Sequence, residues 1–241
     1  MSQNHFFADK SEPINILYED EFCMLINKPS NMLVHHSYSS RNLSESLSLM
    51  EYFMQQNLRY YPVHRLDFKT SGIILLAKEK ENVSSLQHLF ETGKIEKCYL
   101  ALMRGFLSDI GVIDTPVKNE RGNYKEALTI YECIDTFHLN FSVAPYPTAR
   151  YSKVKLMPKT GRTHQLRIHA NKISHPIIGD PRYGNRHHNH YFAEQLGIPF
   201  LFLHAHSLSF IHPFLDKEIF VEAPLPEFWN KFDEIALQFR L

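Results

Sequence analysis

A dense block of polar side chains lies directly before an apolar segment in the first third of the chain. The block is Pro62-Val-His-Arg-Leu-Asp-Phe-Lys-Thr-Ser-Gly72, and in it Asp67 stands between Arg65 and Lys69. A carboxylate flanked by two cations stays ionised at neutral pH and can serve as a nucleophile or a base. The same residues also suit a structural turn in which Asp67 pairs with Arg65, and for an arbitrary protein the turn is the more common outcome.

A second polar run, Lys159-Thr-Gly-Arg-Thr-His-Gln-Leu-Arg-Ile-His169, is rich in cations. If a helix begins near Gly161 or Arg162, its periodicity places His164, Arg167 and Asn171 on one face. Arginines near the amino end of a helix favour binding of a phosphate or a carboxylate. The alternative is a solvated basic helix with apolar residues in the core, and this run alone favours that alternative.

Histidine is abundant, and two of its groupings could bind a metal. His187-His-Asn-His190 and His204-Ala-His206 are the candidates among 15 histidines. The chain contains no HExxH sequence and no cysteine pairs of zinc-finger type. GxGxxG, GxxxxGK[ST] and GxSxG are also absent. We therefore expect no metal site, and we expect the stretch 186–190 to form an exposed polar loop.

Composition limits the class of protein. The chain has 241 residues, is 44% hydrophobic and carries 26 basic against 26 acidic side chains, which is typical of a globular protein and excludes a disordered one. No apolar run approaches the length that a membrane span requires. The three cysteines are isolated, and the first residues do not resemble a signal peptide. We therefore expect a cytoplasmic protein.

The charges are unevenly distributed along the chain. Between Asp135 and Asp180 there is no acidic residue, while seven basic ones occur there: Arg150, Lys153, Lys155, Lys159, Arg162, Arg167 and Lys172. Such a stretch suits a surface that binds a polyanion, because phosphate contacts depend on local potential. A basic strand and helix balanced by acidic neighbours would give the same pattern, and charge alone favours neither.

Periodicity and turn residues predict an α+β protein. Strands are expected at 14–18, 22–26, 71–77, 97–103, 126–134, 138–143, 150–157 and, last, 204–210. Helices are expected at 42–57, from 83 to near Gly93, at 161–173 and at 227–239. Asn42 and Glu45 resemble a capping box at the start of the first helix. Because many strands follow one another through short connections, we expect a mixed, largely antiparallel sheet with flanking helices in one continuous domain.

Several sequence blocks together resemble one enzyme family. His64-Arg-Leu-Asp67 followed by Thr70-Ser-Gly72 resembles the signature of the RluA/RsuA pseudouridine synthases. The family's other blocks follow in order: Asn27-Lys-Pro29 with Leu33-Val-His35, Lys97-Cys-Tyr-Leu-Ala101, Gly161-Arg-Thr-His-Gln-Leu-Arg-Ile-His169 and His175-Pro-Ile-Ile-Gly-Asp180. The family's usual glycine in the first block is replaced by Ser30-Asn31. The resemblance implies a catalytic domain over 14–241 after an extension over 1–13, with no S4 domain, since too few residues precede Ile14.

The resemblance also implies the chemistry. Members of the family break the bond between a uracil nitrogen and its ribose, turn the base, and rejoin it through carbon 5. Asp67 would be the essential aspartate, which either adds to the ribose or deprotonates it. Tyr99 would stack on the uracil and move a proton, and Arg167 would pair with Asp67. Because the reaction is an isomerisation, no metal and no cofactor are expected.

The remaining implied residues bind the RNA. Arg65 would enter the RNA helix where the target nucleotide leaves it, and Ile168 would line the uracil pocket. His64, Arg162 and His164 would bind substrate as well.

An insert over 186–197 is similar to that of a subgroup which isomerises the uridine at position 65 of tRNA. We accordingly expect tRNA as the partner, no membrane, no obligatory protein partner and a monomer. The alternatives are a family member that acts on ribosomal RNA, an RNA-binding module without catalysis, and a metal-dependent hydrolase that uses His204, His206 and the 187–190 loop.

Overall fold

The computed structural model of the protein describes residues 13–36, 47–119 and 121–241. The strands, numbered in chain order, are β1 (Asn15–Glu19), β2 (Cys23–Lys28), β3 (Tyr61–Pro62), β4 (Ser71–Ala77), β5 (Ile95–Arg104), β6 (Ile110–Asp114), β7 (Val117–Lys118), β8 (Tyr124–Lys125), β9 (Leu128–Leu139), β10 (Ala149–Pro158), β11 (Leu203–Ile211) and β12 (Glu218–Glu222). The helices are α1 (Leu49–Gln55), α2 (Val83–Glu91), α3 (Gln165–Lys172), α4 (Arg186–Glu194) and α5 (Glu227–Phe239). Within the described ranges, no helix is both long and apolar enough to span a membrane.

The chain divides into two compact units. The first comprises the described residues up to Glu96 together with Ala205–Pro224. Its strands follow the order β1-β2-β4-β11, with β12 beside β11 and β3 beside β4. All seven residues of β4 are buried, so both faces of this strand are covered. The face of Ile73, Leu75 and Ala77 packs in a core that includes side chains of β2, α2 and β12. This continuous apolar strand begins four residues after Asp67 and fixes the end of the loop that carries it.

The second unit comprises Lys97–His204 and Leu225–Leu241. Its strands follow the order β5-β10-β9-β6, and β7 pairs with β8 in a separate hairpin. Large aromatic side chains form the centre of its core, among them Tyr151, Phe192, Phe202, Trp229 and Phe232. Trp229 and Phe232 project from α5 at helical spacing, so this terminal helix covers the sheet with one apolar face.

Most of the predicted elements are confirmed. The pairings β1–β2, β2–β4, β5–β10, β9–β10, β6–β9 and β11–β12 are all antiparallel, and the predicted α+β class with a mixed, largely antiparallel sheet is correct. The spans predicted for β4 and α5 agree with the structure residue by residue. The predicted domain bounds, 14–241, stay a prediction.

Four local predictions are wrong. The separate strands predicted at 126–134 and 138–143 are one strand, β9, whose register against β10 shifts once, between Lys153 and Val154. The strand at 204–210 is not the last, because β12 follows it. The predicted polar loop at 186–190 is the first part of α4. The predicted α3 begins three to four residues too early.

The first helix is shorter than the predicted span 42–57. It begins after Ser48, whose hydroxyl accepts from the Glu51 amide while the Glu51 carboxylate accepts from the Ser48 amide. This pair is the capping box of α1. The capping box predicted at Asn42 and Glu45 lies outside the described residues.

Candidate active site

The loop that carries Asp67 leads directly into β4. Leu66 is buried, Arg65 is exposed and Asp67 is half-buried. The Thr70 amide donates to the Asp67 carbonyl at 3.1 Å, which closes a turn over these four residues. Asp67 therefore lies in a tight turn between a buried leucine and a buried strand, which restricts the position of its backbone.

His64 has a structural role in this loop. Its Nε2 atom accepts from the Leu75 amide at 2.9 Å, and its ring stacks on Phe90 with centroids 4.4 Å apart. A ring nitrogen that accepts from an amide carries no proton, so Nε2 is unprotonated in this structure. His64 thus joins the Asp67 loop to β4 and α2, and its predicted part in substrate binding stays a prediction.

A fully buried lysine lies beside the Asp67 loop. Lys28, the last residue of β2, is 0% exposed, and its Nζ donates to the carbonyls of Pro29 at 2.8 Å, Met32 at 3.0 Å and Phe68 at 3.5 Å. Burial lowers the pKa of Lys28 to about 7, and the charge of Asp67 opposes this shift. The buried amine of Lys28 is therefore close enough to Asp67 for their charges to interact.

Tyr99 lies in the second unit, on β5. It is half-buried and stands opposite Leu156 of β10 in the antiparallel register. Two residues before it, burial and then the charge of Lys159 lower the pKa of Lys97. Strand β5 thus places Tyr99 near the basic loop that follows β10.

That loop differs from the prediction at its helical end. His164, predicted inside the helix, is instead its N-cap residue in the left-handed conformation, with φ +57°. The Gln165 side-chain oxygen, Oε1, accepts from the Arg162 amide at 3.0 Å and from the Thr160 hydroxyl at 2.7 Å. These bonds hold 160–164 as a loop rather than a helical turn. Arg162 is exposed there, and its Nε donates to the Glu126 carbonyl at 3.0 Å.

The predicted grouping of His164, Arg167 and Asn171 is nevertheless correct. All three contact Tyr183: His164 Nδ1 lies 3.1 Å from the tyrosine oxygen, the Arg167 guanidinium lies 5.3 Å from the ring centre, and Asn171 donates to the Tyr183 carbonyl at 2.8 Å. Ile168, predicted to line the uracil pocket, is half-buried on the same helix.

Arg167 forms a buried ion pair with Asp180. Its Nε donates to Oδ2 at 2.7 Å and its Nη2 to Oδ1 at 2.8 Å, with both side chains almost fully buried. Oδ1 also accepts from the amides of Arg182 and Tyr183. These contacts hold the pKa of Asp180 below its usual value despite burial. Since a guanidinium has five N–H groups, this pair does not exhaust what Arg167 can donate.

The basic stretch is partly neutralised. Lys153 pairs with Asp233 at 2.8 Å, Lys155 lies 3.6 Å from Glu132, and Arg167 pairs with Asp180. For these three, the interpretation as a basic segment balanced by acidic neighbours is correct. Four cations of this stretch are exposed and have no ion pair to a described residue: Arg150, Lys159, Arg162 and Lys172.

The histidines considered for a metal are not gathered in the described residues. His188 is buried and bonds the Tyr151 hydroxyl at 2.9 Å, and burial lowers its pKa to about 4. His187 and His190 are exposed on α4. His204 is fully buried, and His206 Nδ1 lies 3.2 Å from the Ala223 carbonyl.

Three other side chains come close enough to hold a cation. Asp20, Cys23 and His212 have ligand atoms within 4.8 Å of one another. His212 Nδ1, however, accepts from the amides of Phe214 and Leu215, so its proton is on Nε2, which faces Asp20 at 3.1 Å. A metal on Nε2 would require a proton on Nδ1, pointing at two other N–H groups. These three residues therefore fit a hydrogen-bonded network and do not fit a metal.

The comparison with family models decides the class of protein. The model described as RNA pseudouridylate synthase matches residues 23–172, which is more than half of the chain.

The chain belongs to the RNA pseudouridylate synthase family.

The match runs from β2 to α3 and includes Asp67, Tyr99 and Arg167, and the predicted enzyme class, a pseudouridine synthase, is confirmed.

Curated relatives of the same family match over nearly their whole length. The tRNA pseudouridine synthase C of Haemophilus influenzae is 39% identical over 235 residues, covering 90% of this chain and 95% of the relative. That of Haemophilus ducreyi is 39% identical over 228 residues, covering 90% and 93%. That of Pasteurella multocida is 37% identical over 241 residues, covering 91% and 96%.

Two solved human structures share the fold. Human RNA Pseudouridylate Synthase Domain Containing 1 superposes with a TM-score of 0.71 at 25% identity, covering 95% of this chain and 89% of that one. Human RNA Pseudouridylate Synthase Domain Containing 4 gives 0.69 at 24% identity, covering 94% of each chain.

Two charged residues, Lys28 in the first unit and Asp180 in the second, have no role implied by the sequence. Lys28 and Asp180 belong to blocks that carry the family resemblance, and that was the available signal. The chain could not show that both are buried, since burial depends on contacts with residues distant in sequence.

Proposed function

We propose that this synthase isomerises a uridine in tRNA to pseudouridine, and that the uridine is at position 65. The observation that carries the proposal is the match, at up to 39% identity over 90% of the chain, to relatives named tRNA pseudouridine synthase C. The insert over 186–197, now seen to include α4, supports the same subgroup. We further propose that the enzyme acts as a cytoplasmic monomer without an obligatory protein partner.

Asp67 is the proposed catalytic residue. The bond between N1 of uracil and C1′ of ribose breaks, the base turns, a bond forms between C5 and C1′, and the proton on C5 is lost as N1 gains one. Asp67 starts this exchange either by adding to C1′ or by removing a ribose proton. Its half-buried place in a tight turn supports either role, because the carboxylate can be aimed without being sealed from the substrate.

The other proposed residues bind and orient the nucleotide. Tyr99 stacks on the uracil, Arg167 supplies a cation to Asp67, and Ile168 lines the pocket. Arg65, exposed at the start of the Asp67 turn, fills the gap that the flipped nucleotide leaves in the RNA helix. Arg162, His164 and His64 complete the set of substrate-binding residues, of which Arg162 is the exposed cation best suited to a phosphate.

The test is incubation of the purified protein with unmodified tRNA, followed by mapping of pseudouridine at single-nucleotide resolution. We expect one new pseudouridine, at position 65. Asp67→Asn should abolish it while leaving the affinity for tRNA within about twofold, because an amide keeps the shape of the carboxylate and removes its basicity. Asp109→Asn, at an exposed aspartate of the other unit, is the matched control and should retain activity.

Other outcomes identify the alternatives. Product on ribosomal RNA fragments but not on tRNA would refute the tRNA assignment and keep the chemistry. Tight RNA binding without any product would favour an RNA-binding module.

A further inference from the structure

Two turns of the first unit are joined beside Asp67 by side chains of the turn that follows β2. The Ser30 hydroxyl donates to the Lys69 carbonyl at 2.7 Å, and Lys28 Nζ donates to the Phe68 carbonyl at 3.5 Å. Phe68 and Lys69 are the two residues directly after Asp67. We call these two bonds the Lys28–Ser30 clamp. They hold the backbone of the Asp67 turn from outside, in addition to the bond that the turn makes within itself.

The cation in this clamp is costly to bury, and its surroundings compensate it. Each of the three N–H groups of Lys28 meets a carbonyl, and one of those carbonyls belongs to the Asp67 turn. A buried ammonium is tolerated only with such partners and a compensating charge. The charge of Asp67 favours the charged form of Lys28. An apolar side chain of similar length would fill the same space without the desolvation cost of a buried amine. This comparison favours a role for the charge and the three bonds beyond filling the core.

The turn that carries Ser30 departs from the sequence pattern it resembles at the pattern's usual glycine. The Ser30-Asn31 pair stands where that pattern has the glycine. The turn still needs a residue in the left-handed region, and Asn31 takes this conformation with φ +60°. Asn31 therefore provides the left-handed residue of the turn, and the Ser30 hydroxyl beside it bonds the loop that carries Asp67.

We infer that Lys28 and Ser30 are positioning residues of the isomerisation, which hold the Asp67 carboxylate in the orientation that the reaction needs. The inference rests on the proposed function of Asp67. Small displacements of a reacting group are costly in rate, so a residue that fixes the turn acts on the chemical step and not on the binding of RNA.

Ser30→Ala removes one bond of the clamp and leaves the backbone unchanged. We expect it to lower the single-turnover rate of pseudouridine formation at saturating enzyme by about threefold to tenfold, the value of one hydrogen bond. The Kd for tRNA should stay within about twofold. Ser30→Thr keeps a hydroxyl and should recover the rate to within about twofold of the unchanged protein. Lys28→Met removes three bonds and the charge, so we expect it to lower this rate by more than Ser30→Ala does. If Lys28→Met does not fold, the comparison of Ser30→Ala with Ser30→Thr tests the inference alone.

Ser142→Ala is the matched control, because the exposed Ser142 hydroxyl likewise donates to a carbonyl, that of Tyr146 at 2.9 Å, in the other unit. It should leave the rate unchanged. The inference is overturned if Ser30→Ala slows the reaction no more than Ser142→Ala, if its loss is in tRNA affinity instead of rate, or if Ser30→Thr does not recover the rate. If the unchanged protein makes no pseudouridine in tRNA, the proposed function fails, and the inference fails with it.

Discussion

The buried ion pair between Arg167 and Asp180 allows a direct measurement of how firmly a proposed site residue is held. The change is Asp180→Asn, which preserves the shape of the side chain and removes its charge. In the structure Asp180 accepts two bonds from Arg167 and two from backbone amides, and both partners of the pair are more than nine-tenths buried. No cavity is created, so the loss of stability reports the charge and the bonds.

The size of the expected loss in the free energy of unfolding follows from these contacts. If the asparagine oxygen takes the place of Oδ1 and keeps its bonds to the amides, the new NH2 group faces the Arg167 Nε–H, and a donor then meets a donor. A charge-assisted hydrogen bond is worth roughly 1.5–3 kcal/mol. Removing one partner of a buried pair typically costs about 3–5 kcal/mol. We therefore expect the free energy of unfolding to fall by about 3 kcal/mol.

The pH dependence of the stability provides a second, independent test of the ion pair. Because the pKa of Asp180 is lowered in the folded protein, its carboxylate stabilises the fold at pH values above its unfolded pKa, and this contribution is lost as the pH falls through the folded pKa. The difference between the unchanged protein and Asp180→Asn should therefore be largest near neutral pH and shrink in acid. Urea denaturation followed by circular dichroism at several pH values measures both quantities.

The exposed pair of Lys155 and Glu132, with an N–O distance of 3.6 Å, provides the comparison. Glu132→Gln should cost less than about 0.5 kcal/mol, since solvent screens an exposed pair. The reasoning is refuted if Asp180→Asn costs no more than Glu132→Gln, or if the difference caused by Asp180→Asn does not change with pH.

The remaining predictions concern the backbone and a buried histidine. Gly72→Ala should destabilise the fold by at least about 3 kcal/mol in urea unfolding, since φ is +109° and an added Cβ would lie 2.2 Å from the Ala205 carbonyl oxygen. Gly93→Ala, with φ +69° and open space around it, should cost about 1 kcal/mol, and equal losses would contradict the steric argument. His188, whose pKa is lowered to about 4, favours the fold when neutral, so its contribution is present above its ordinary pKa and is lost as the pH falls toward 4. His188→Gln should make unfolding less dependent on pH in this range, and an unchanged slope would count against it.

Elements defined by continuous local patterns were predictable from the sequence. The seven buried residues of β4 form one apolar run, and the apolar face of α5 repeats at helical spacing, so both spans were correct. The start of α3 was not, because His164 adopts φ +57° and the Gln165 side chain satisfies the Arg162 amide. Neither fact has a signal in the spacing of apolar residues.

Helix α4 shows a different reason for error. A sequence signal was present, since Asn185 caps the helix by accepting from the amides of His187 and His188. The buried His188 and Phe192 lie four residues apart, at helical spacing. The polar composition of 186–190 after Pro181-Arg-Tyr-Gly184 predicts an exposed loop, although His188 is a core residue. Composition is a weaker guide than periodicity when a residue type is found both inside and outside proteins.

The ionic contacts of Lys28 and Arg167 could not be obtained from the sequence blocks. The blocks imply that Arg167 pairs with Asp67, which stays a prediction, and in the structure Arg167 also pairs with Asp180. Lys28, buried in the same unit as Asp67, is a cation whose charge interacts with that of Asp67, and it bonds no carboxylate in the described residues. The buried amine of Lys28 is thus a neighbour of Asp67 that the blocks do not indicate, while Asp180 fixes the orientation of the Arg167 guanidinium.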